Sequence, residues 1–447
     1  MLLSGEGDSI QLPRSFVSTV PWLGCILSVA AAASMWFYVG QVLKPRQVAD
    51  AIANNRPRGN LSDLYPRWLG ARELLLHRRN PYSREITIEI QKGYYGRPLD
   101  PSLPNDPKDQ QGFAYPVYVV FVLAPTVEMS FAVAQFCFRW ILLGAGVAGV
   151  FLWLKALGWK LSLPAKFVCI ALLLGSFPEV QGIRLQQLSL LVAALLAAGT
   201  ACVVGGYLFV GGVVLALATI KPQLALPLAV VLLFWSASDG KARWRFAAGF
   251  FATMVLLLAA SEFVLPGWAR MFGQAIHEYR SYTGNQSVLD QLINWASGPW
   301  GGKLLAVFAV LACAPLLWRL RTQPAASESF GRVMALIMAL TVLIVPMYAP
   351  YNQVLLLPAI LLLMRDRDPL TGTLALRLVA ALTILAFAWP WIASLTCSVI
   401  WCFSRSAAVD DWKLPLYATF ALPVLVFVLT WVSVRQQGVL QTRDAPR

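Results

Sequence analysis

Histidine is almost absent from this 447-residue chain: His77 and His277 are the only two. A histidine-rich metal centre is thereby excluded, and a triad built on His is disfavoured. Carboxylates, Lys, Arg and Tyr remain as candidate catalysts. Charge is also scarce. Asp, Glu, Lys and Arg make up 13 % of the residues, about half the usual share, against 58 % hydrophobic residues. The motifs G-x-x-x-x-G-K-[ST], G-x-S-x-G and H-E-x-x-H are missing, and with them the P-loop, nucleophile-elbow and zincin chemistries. Seven cysteines form no metal or redox spacing. Cys25, Cys137, Cys169, Cys202 and Cys313 lie inside apolar runs, as small core residues do. Cys397 and Cys402 are close enough in sequence to raise the question of a bridge.

What is present is long apolar sequence. Apolar runs occupy 20–42, 129–154, 166–177, 188–204, 207–220, 222–236, 245–264, 303–318, 332–346, 351–364, 375–396 and 414–434. At about 20 residues per crossing they predict a polytopic all-α membrane protein with about 10–13 transmembrane helices. The run 20–42 is too long for a signal h-region and is expected to stay as the first span. Several runs are short, and Pro178, Pro222, Pro346 and Pro350 punctuate them, which predicts broken helices lining a cavity. The net charge of +14 is carried mostly in short loops. That places the protein with membranes rather than with nucleic acid. The loops 155–166, 237–245, 319–332 and 365–377 hold three Lys or Arg each. The positive-inside rule puts them, with both termini, in the cytoplasm. The segments 43–115 and 265–302 then become the first and second large extracytoplasmic loops of one integral-membrane unit spanning 1–447.

In the first outer loop, Leu64, Trp68, Ala71 and Leu75 form an apolar stripe at helical spacing, flanked by Arg67, Arg72, Arg78 and Arg79. This pattern predicts an amphipathic helix in the headgroup layer, ended by Asn80-Pro81. Asp63 stands at its start, where it can be an N-cap or a general base at a cavity mouth. Arg184, Gln186 and Gln187 interrupt another apolar stretch on the same side. Lys221, just before Pro222, either faces an anion at membrane depth or snorkels to the headgroups. Tyr279, Arg280, Tyr282 and Asn285-Gln286-Ser287 form a polar cluster in the second outer loop. Tyr348, Tyr351, Asn352 and Gln353 occupy an outer turn that reads equally as an aromatic belt.

The order of these features resembles the polyprenyl-phosphate-mannose-dependent mannosyltransferases of glycosyltransferase family 87, with the GT-C membrane fold. In that family an Asp near a Tyr opens the first outer loop, and a helix and an Asn-Pro-Tyr follow. Asp63-Leu-Tyr65 and Asn80-Pro-Tyr82 stand in those places. A Phe-x-Tyr-Pro-Pro element is represented by Phe113-Ala-Tyr115-Pro116, with Val117 in place of the second Pro. A Gly-Gln before a Leu-rich helix corresponds to Gln186-Gln187, and a small-residue helix ending in Lys-Pro corresponds to Gly211–Pro222. Asn285-Gln286-Ser287 matches an Asn-Gln-Ser. The final turn carries Tyr351-Asn352-Gln353 where an aromatic-His pair is common.

The resemblance implies a GT-C-like bundle with amphipathic helices in its first outer loop, set in the cell membrane, as in a bacterial inner membrane. It implies an inverting glycosyltransferase moving a hexose, mannose by preference, from a polyprenyl-phosphate-linked sugar donor to a glycolipid or glycan acceptor. Asp63 would be the catalytic base. Lys221, Arg184 and Gln187 would hold the donor phosphate, and Tyr65, Tyr82, Tyr115, Asn285, Gln286, Tyr351 and Asn352 would contact substrate. No cofactor or metal is required, although Glu179 or Asp290 could assist a divalent ion. A lipid-linked sugar flippase and a non-catalytic assembly subunit are the rivals. The second would scatter Asp63, Gln187, Lys221 and Asn285 rather than gather them.

Overall fold

The computed structural model describes residues 14–57, 62–346, 348–366 and 372–443. Among them there is no strand, and the chain is helical throughout. Helix α1 (Arg14–Phe37) passes through a π-helical turn (Tyr38–Leu43) into α2 (Lys44–Ala53). The first loop holds α3 (Tyr65–His77), α4 (Arg84–Tyr95) and the short α5 (Val119–Leu123). The bundle continues with α6 (Phe131–Ala156), α7 (Leu163–Leu174), α8 (Phe177–Leu185), α9 (Leu188–Val204), α10 (Leu208–Ala218), α11 (Pro222–Ala237) and α12 (Gly240–Val264). The second loop holds α13 (Trp268–Thr283) and α14 (Val288–Ser297). After it come α15 (Gly301–Leu320), α16 (Glu328–Ile344), a 3₁₀ segment (Pro350–Leu356), α17 (Leu357–Arg365), α18 (Leu374–Phe403), α19 (Arg405–Asp410) and α20 (Ala421–Arg443).

Six helical stretches are long and apolar enough to cross a membrane, beginning at Trp22, Phe131, Gly240, Gly301, Leu374 and Arg405. The pair α7 and α8, bent by 57°, is apolar enough to form a broken span or a re-entrant loop. The protein is therefore a polytopic membrane protein. The bend has a local cause: Ser176 Oγ accepts from the Glu179 amide, and Pro178 occupies the first turn of α8. Leu188–Val204, Leu208–Ala218, Pro222–Ala237 and Pro350–Arg365 are shorter apolar helices, in the region where prolines interrupt the sequence.

Helix α16 is the centre of the bundle. From Phe330 to Leu343 every side chain is buried, the pattern of a helix surrounded by protein on all sides. At one end, Arg332 and Arg365 pair with Asp366, and Arg365 also donates to the Leu157 carbonyl at 2.7 Å. Close helix contact depends on small residues elsewhere. A Cβ on Gly212 of α10 would sit 2.1 Å from the Phe246 carbonyl oxygen of α12, and one on Gly249 would sit 2.2 Å from that of Phe209.

Several sequence expectations need correction. Helix α3 forms where the stripe predicted it, but Leu64, Trp68 and Ala71 are buried at 0 %, 6 % and 0 % exposure. Arg67, Gly70, Glu73 and Leu74 are buried too, so α3 is packed inside the protein instead of lying on headgroups. Trp68 Nε1 anchors it to the Thr126 carbonyl at 3.0 Å. Asp63 is not a cap: the N-cap position is Leu64, without a side-chain cap bond. Asn285-Gln286-Ser287 leads into α14, where Ser287 and Asp290 form a reciprocal capping box. That box occupies the Asp290 carboxylate suggested for a cation. Cys397 and Cys402 are both free. They lie on the same helix five residues apart, which turns them about 140° from one another and out of bridging geometry. Gly144-Ala-Gly146-Val-Ala-Gly149 matches the glycine spacing of a dinucleotide turn but lies inside α6, with no strand before it.

Gly212→Ala and Gly249→Ala should each destabilise the α10–α12 contact by about 1–3 kcal/mol, as overpacking does. Thermal unfolding of the detergent-solubilised chain measures this. Unchanged midpoints in both variants would show that the two helices are not held at this distance.

Candidate active site

Four breaks in helical structure meet at one place. They are the turn before α3, the α8–α9 junction, the α10–α11 junction and the 3₁₀ segment Pro350–Leu356. The first two are laced together across 124 residues of sequence. The Asp63 amide donates to the Leu185 carbonyl at 2.9 Å, and Ser62 Oγ donates to Gln186 Oε1 at 2.6 Å. Gln186 sits at φ 50°, in the left-handed region, which explains why a Gly suits that position. Its amide compensates by also donating to the Ile183 and Arg184 carbonyls at 2.7 Å each.

From this junction a polar chain runs inward. Gln187 Nε2 donates to Asp63 Oδ2, and the Tyr94 hydroxyl donates to Oδ1 at 3.4 Å. Lys221 Nζ donates to Gln187 Oε1 at 2.8 Å and to Ser189 Oγ at 2.7 Å. Ser189 Oγ in turn donates to Asn352 Oδ1 at 2.9 Å. Asn352 thus joins the chain. The Lys221 ammonium also lies 5.7 Å from the Tyr115 ring centre and 5.5 Å from that of Tyr351. Arg67 also stands near Tyr115, 4.6 Å from the same ring centre. Its guanidinium donates to the Asp63 carbonyl, and its Nε is buried with no partner.

These groups border a cavity of about 420 Å³. Asp63, Arg67, Asp109, Tyr115, Gln187, Lys221, Tyr351 and Asn352 line it, and α13 contributes Phe272, Ile276, Tyr279 and Arg280. Lys221 and Arg67 are 6 % and 9 % exposed. Among the described residues, neither forms an ion pair with a carboxylate within 4.0 Å. Burial lifts the Asp63 carboxyl above its ordinary 3.8, outweighing the nearby Arg67 and Lys221 charges and the two hydrogen bonds. Burial would also raise the Tyr115 hydroxyl, but Lys221 and Arg67 overcome it and hold that group below 10.0. The cavity therefore carries an excess of positive field at Tyr115 beside a carboxylate primed to take a proton.

Six of the sequence-predicted site residues come together here: Asp63, Tyr115, Gln187, Lys221, Tyr351 and Asn352. Five stand elsewhere. Arg184 contacts Gln47 Oε1 at 3.4 Å, outside the cavity lining. Tyr65 packs edge-on against Phe131. The Tyr82 hydroxyl donates to the Tyr115 carbonyl at 2.6 Å and so supports the site from behind. Asn285 and Gln286 are exposed on the turn before α14. Glu179 borders a separate small pocket with Gly146 and Trp153. Sequence reasoning missed Arg67, Tyr94, Asp109 and Ser189. For Arg67 a signal existed, since it lies four residues after Asp63 at the opening of a helix.

A family model described as glycosyltransferase family 87 matches residues 113–346, just over half of the chain. No curated protein and no solved structure matches. The chain belongs to glycosyltransferase family 87, and that membership indicates glycosyltransferase activity.

The raised Asp63 carboxyl has a consequence for stability. The folded value lies above the unfolded one, so folding favours the protonated form. The contribution of Asp63 to stability is greatest at low pH and is lost as pH rises through the folded value. Asp63→Asn should remove this decline. Unfolding midpoints of the two proteins, followed from acid to neutral pH, should show the wild type losing ground to the variant. A pH-independent difference would contradict the assignment.

Proposed function

We propose, with membership of glycosyltransferase family 87 as the premise, that this chain transfers a hexose from a polyprenyl-phosphate-linked donor to an acceptor hydroxyl. Mannose is the sugar that the motif resemblance favours. The observation that carries the reading is the half-buried Asp63 carboxylate set beside two buried cations that lack carboxylate partners. An ammonium or guanidinium removed from water costs several kcal/mol unless an anion or hydrogen bonds compensate it. A lipid phosphate delivered from the bilayer suits that requirement and explains a polar cavity among membrane helices.

The geometry supports the following step. Asp63 takes the proton of the acceptor hydroxyl, and the oxygen attacks the anomeric carbon. The bond from that carbon to the phosphate oxygen breaks, and its electron pair leaves with the polyprenyl phosphate. Negative charge grows on that oxygen, where Lys221 and Arg67 stabilise it. The phosphate departs unprotonated, so a single carboxylate suffices and the paired acids of glycosidases are unnecessary. Such a one-step displacement inverts the anomeric centre. Gln187 has a double role, because one amide group orients Asp63 with its nitrogen and Lys221 with its oxygen. Arg67 takes the second cationic place for which the sequence suggested Arg184. The loops that meet at the cavity are those the Lys and Arg distribution assigns to the extracytoplasmic face, which supports catalysis there. Convergence of Asp63, Gln187 and Lys221 favours an enzyme over an assembly subunit, even though Asn285 lies apart.

In membranes supplied with radiolabelled polyprenyl-phosphate-mannose and matched for protein abundance, Asp63→Asn should lower transfer into glycolipid and polymer fractions by about 10²–10⁴-fold. Lys221→Ala should lower it about 10²–10³-fold. Arg184→Ala should stay near the wild type. Full transfer by Asp63→Asn would overturn the assignment of the base.

A further inference from the structure

The cavity has a second carboxylate that the reaction above does not use. Asp109 lies on the cavity wall in the loop between α4 and Phe113. That loop is pinned from several directions. The Tyr95 hydroxyl donates to the Asp109 carbonyl at 2.8 Å. The Gln111 amide donates to Asp109 Oδ1 at 3.0 Å, and Gln111 Nε2 donates to Oδ2 at 2.9 Å. Gln111 makes both bonds while at φ 54°, a left-handed conformation that costs a non-glycine residue energy. One strained residue therefore fixes the direction of one carboxylate.

We propose that Asp109 is an acceptor clamp, whose two carboxylate oxygens receive a pair of neighbouring hydroxyls from a sugar-ring acceptor. The inference rests on the glycosyltransferase reading and names the acceptor class for that site. A carboxylate has about four acceptor positions, and Gln111 fills two of them, leaving one on each oxygen. Asp109 makes no ion pair among the described residues, so those positions are not taken by a cation. Two acceptors at fixed spacing suit a vicinal diol. A lone serine hydroxyl would use only one, and a phosphate would be repelled.

The surroundings agree with a sugar. Phe272, Ile276 and Tyr279 fall at i, i+4 and i+7 on α13, so one helix face presents an apolar, partly aromatic wall to the same cavity. Polar groups that fix hydroxyls beside an apolar wall that takes the ring face are the usual composition of a small-ligand pocket. Position agrees as well, because Asp109 and Asp63 line the same cavity.

The test uses the full chain in lipid nanodiscs, with methyl α-mannopyranoside and undecaprenyl phosphate as separate probes. Mannoside binding is followed by saturation-transfer NMR, and phosphate-lipid binding by intrinsic tryptophan fluorescence. Asp109→Asn keeps the shape of the side chain, and Asp109→Ala removes it. Both should weaken mannoside binding about tenfold or more while leaving undecaprenyl phosphate affinity unchanged. Lys221→Ala should do the reverse. Mannoside affinity equal to the wild type in both Asp109 variants would overturn the clamp, as would a wild type that does not bind the mannoside. Undecaprenyl phosphate bound as tightly by Lys221→Ala as by the wild type would instead overturn the glycosyltransferase reading of the cavity.

Discussion

Lys221 and Arg67 are buried cations without carboxylate partners, and much of the surrounding architecture serves to make that arrangement tolerable. Lys221 has two hydrogen bonds, from Nζ to Gln187 and to Ser189, and two aromatic rings nearby. Arg67 has one bond to a backbone carbonyl and one ring. Such neutral contacts soften the desolvation of a charge but do not neutralise it. An ion pair with Asp63 would have been the cheaper solution. Asp63 is instead held by Gln187 and Tyr94, so the carboxylate stays available and the positive field remains directed into the cavity.

This separation of charges depends on where helices stop. Helix α8 ends in a left-handed Gln186, and α11 begins at a proline, so Gln187 and Lys221 leave regular structure at adjoining places. The Pro350–Leu356 segment winds as a 3₁₀ helix and brings Tyr351 and Asn352 against the same spot. Continuous helices would have carried each of these side chains past the cavity. Backbone irregularity of this kind is tolerated at membrane depth where it lines a polar space enclosed by protein. The centre of the bundle, by contrast, is regular, with α16 enclosed in apolar contacts.

Much of this was legible in the sequence, and its limits have physical causes. Hydropathy identified a polytopic membrane protein because lipid imposes one simple requirement on its helices. About 10–13 crossings were expected, whereas among the described residues six helices, or seven with the bent pair, are long and apolar enough, because several apolar runs form shorter helices. Lys221 stood out because a cation inside an apolar run needs a reason. The prolines marked breaks that the structure uses. Helix α3 was misjudged because an apolar stripe looks the same whether it meets headgroups or a protein core. Arg67 was then discounted as a flanking charge, though it lies inside the cavity. The Ser287-to-Asp290 spacing of a capping box was readable in the sequence. Pairing between residues 63 and 187, or 109 and the face of α13, is long-range packing that spacing alone does not encode. Arg184 and Lys221 offered equal charge in sequence, and only the structure separates them, with Arg184 against Gln47 outside the cavity lining.

The most direct test of the account is a structure of the full chain determined with undecaprenyl phosphate bound. The account predicts the phosphate between Lys221 and Arg67, with its oxygens at charge-assisted hydrogen-bond distance, about 2.7–2.9 Å, from both. Asp63 would remain free of the phosphate and open to the cavity. A phosphate lodged at Arg184, or anywhere outside the space bordered by Tyr115, would contradict it.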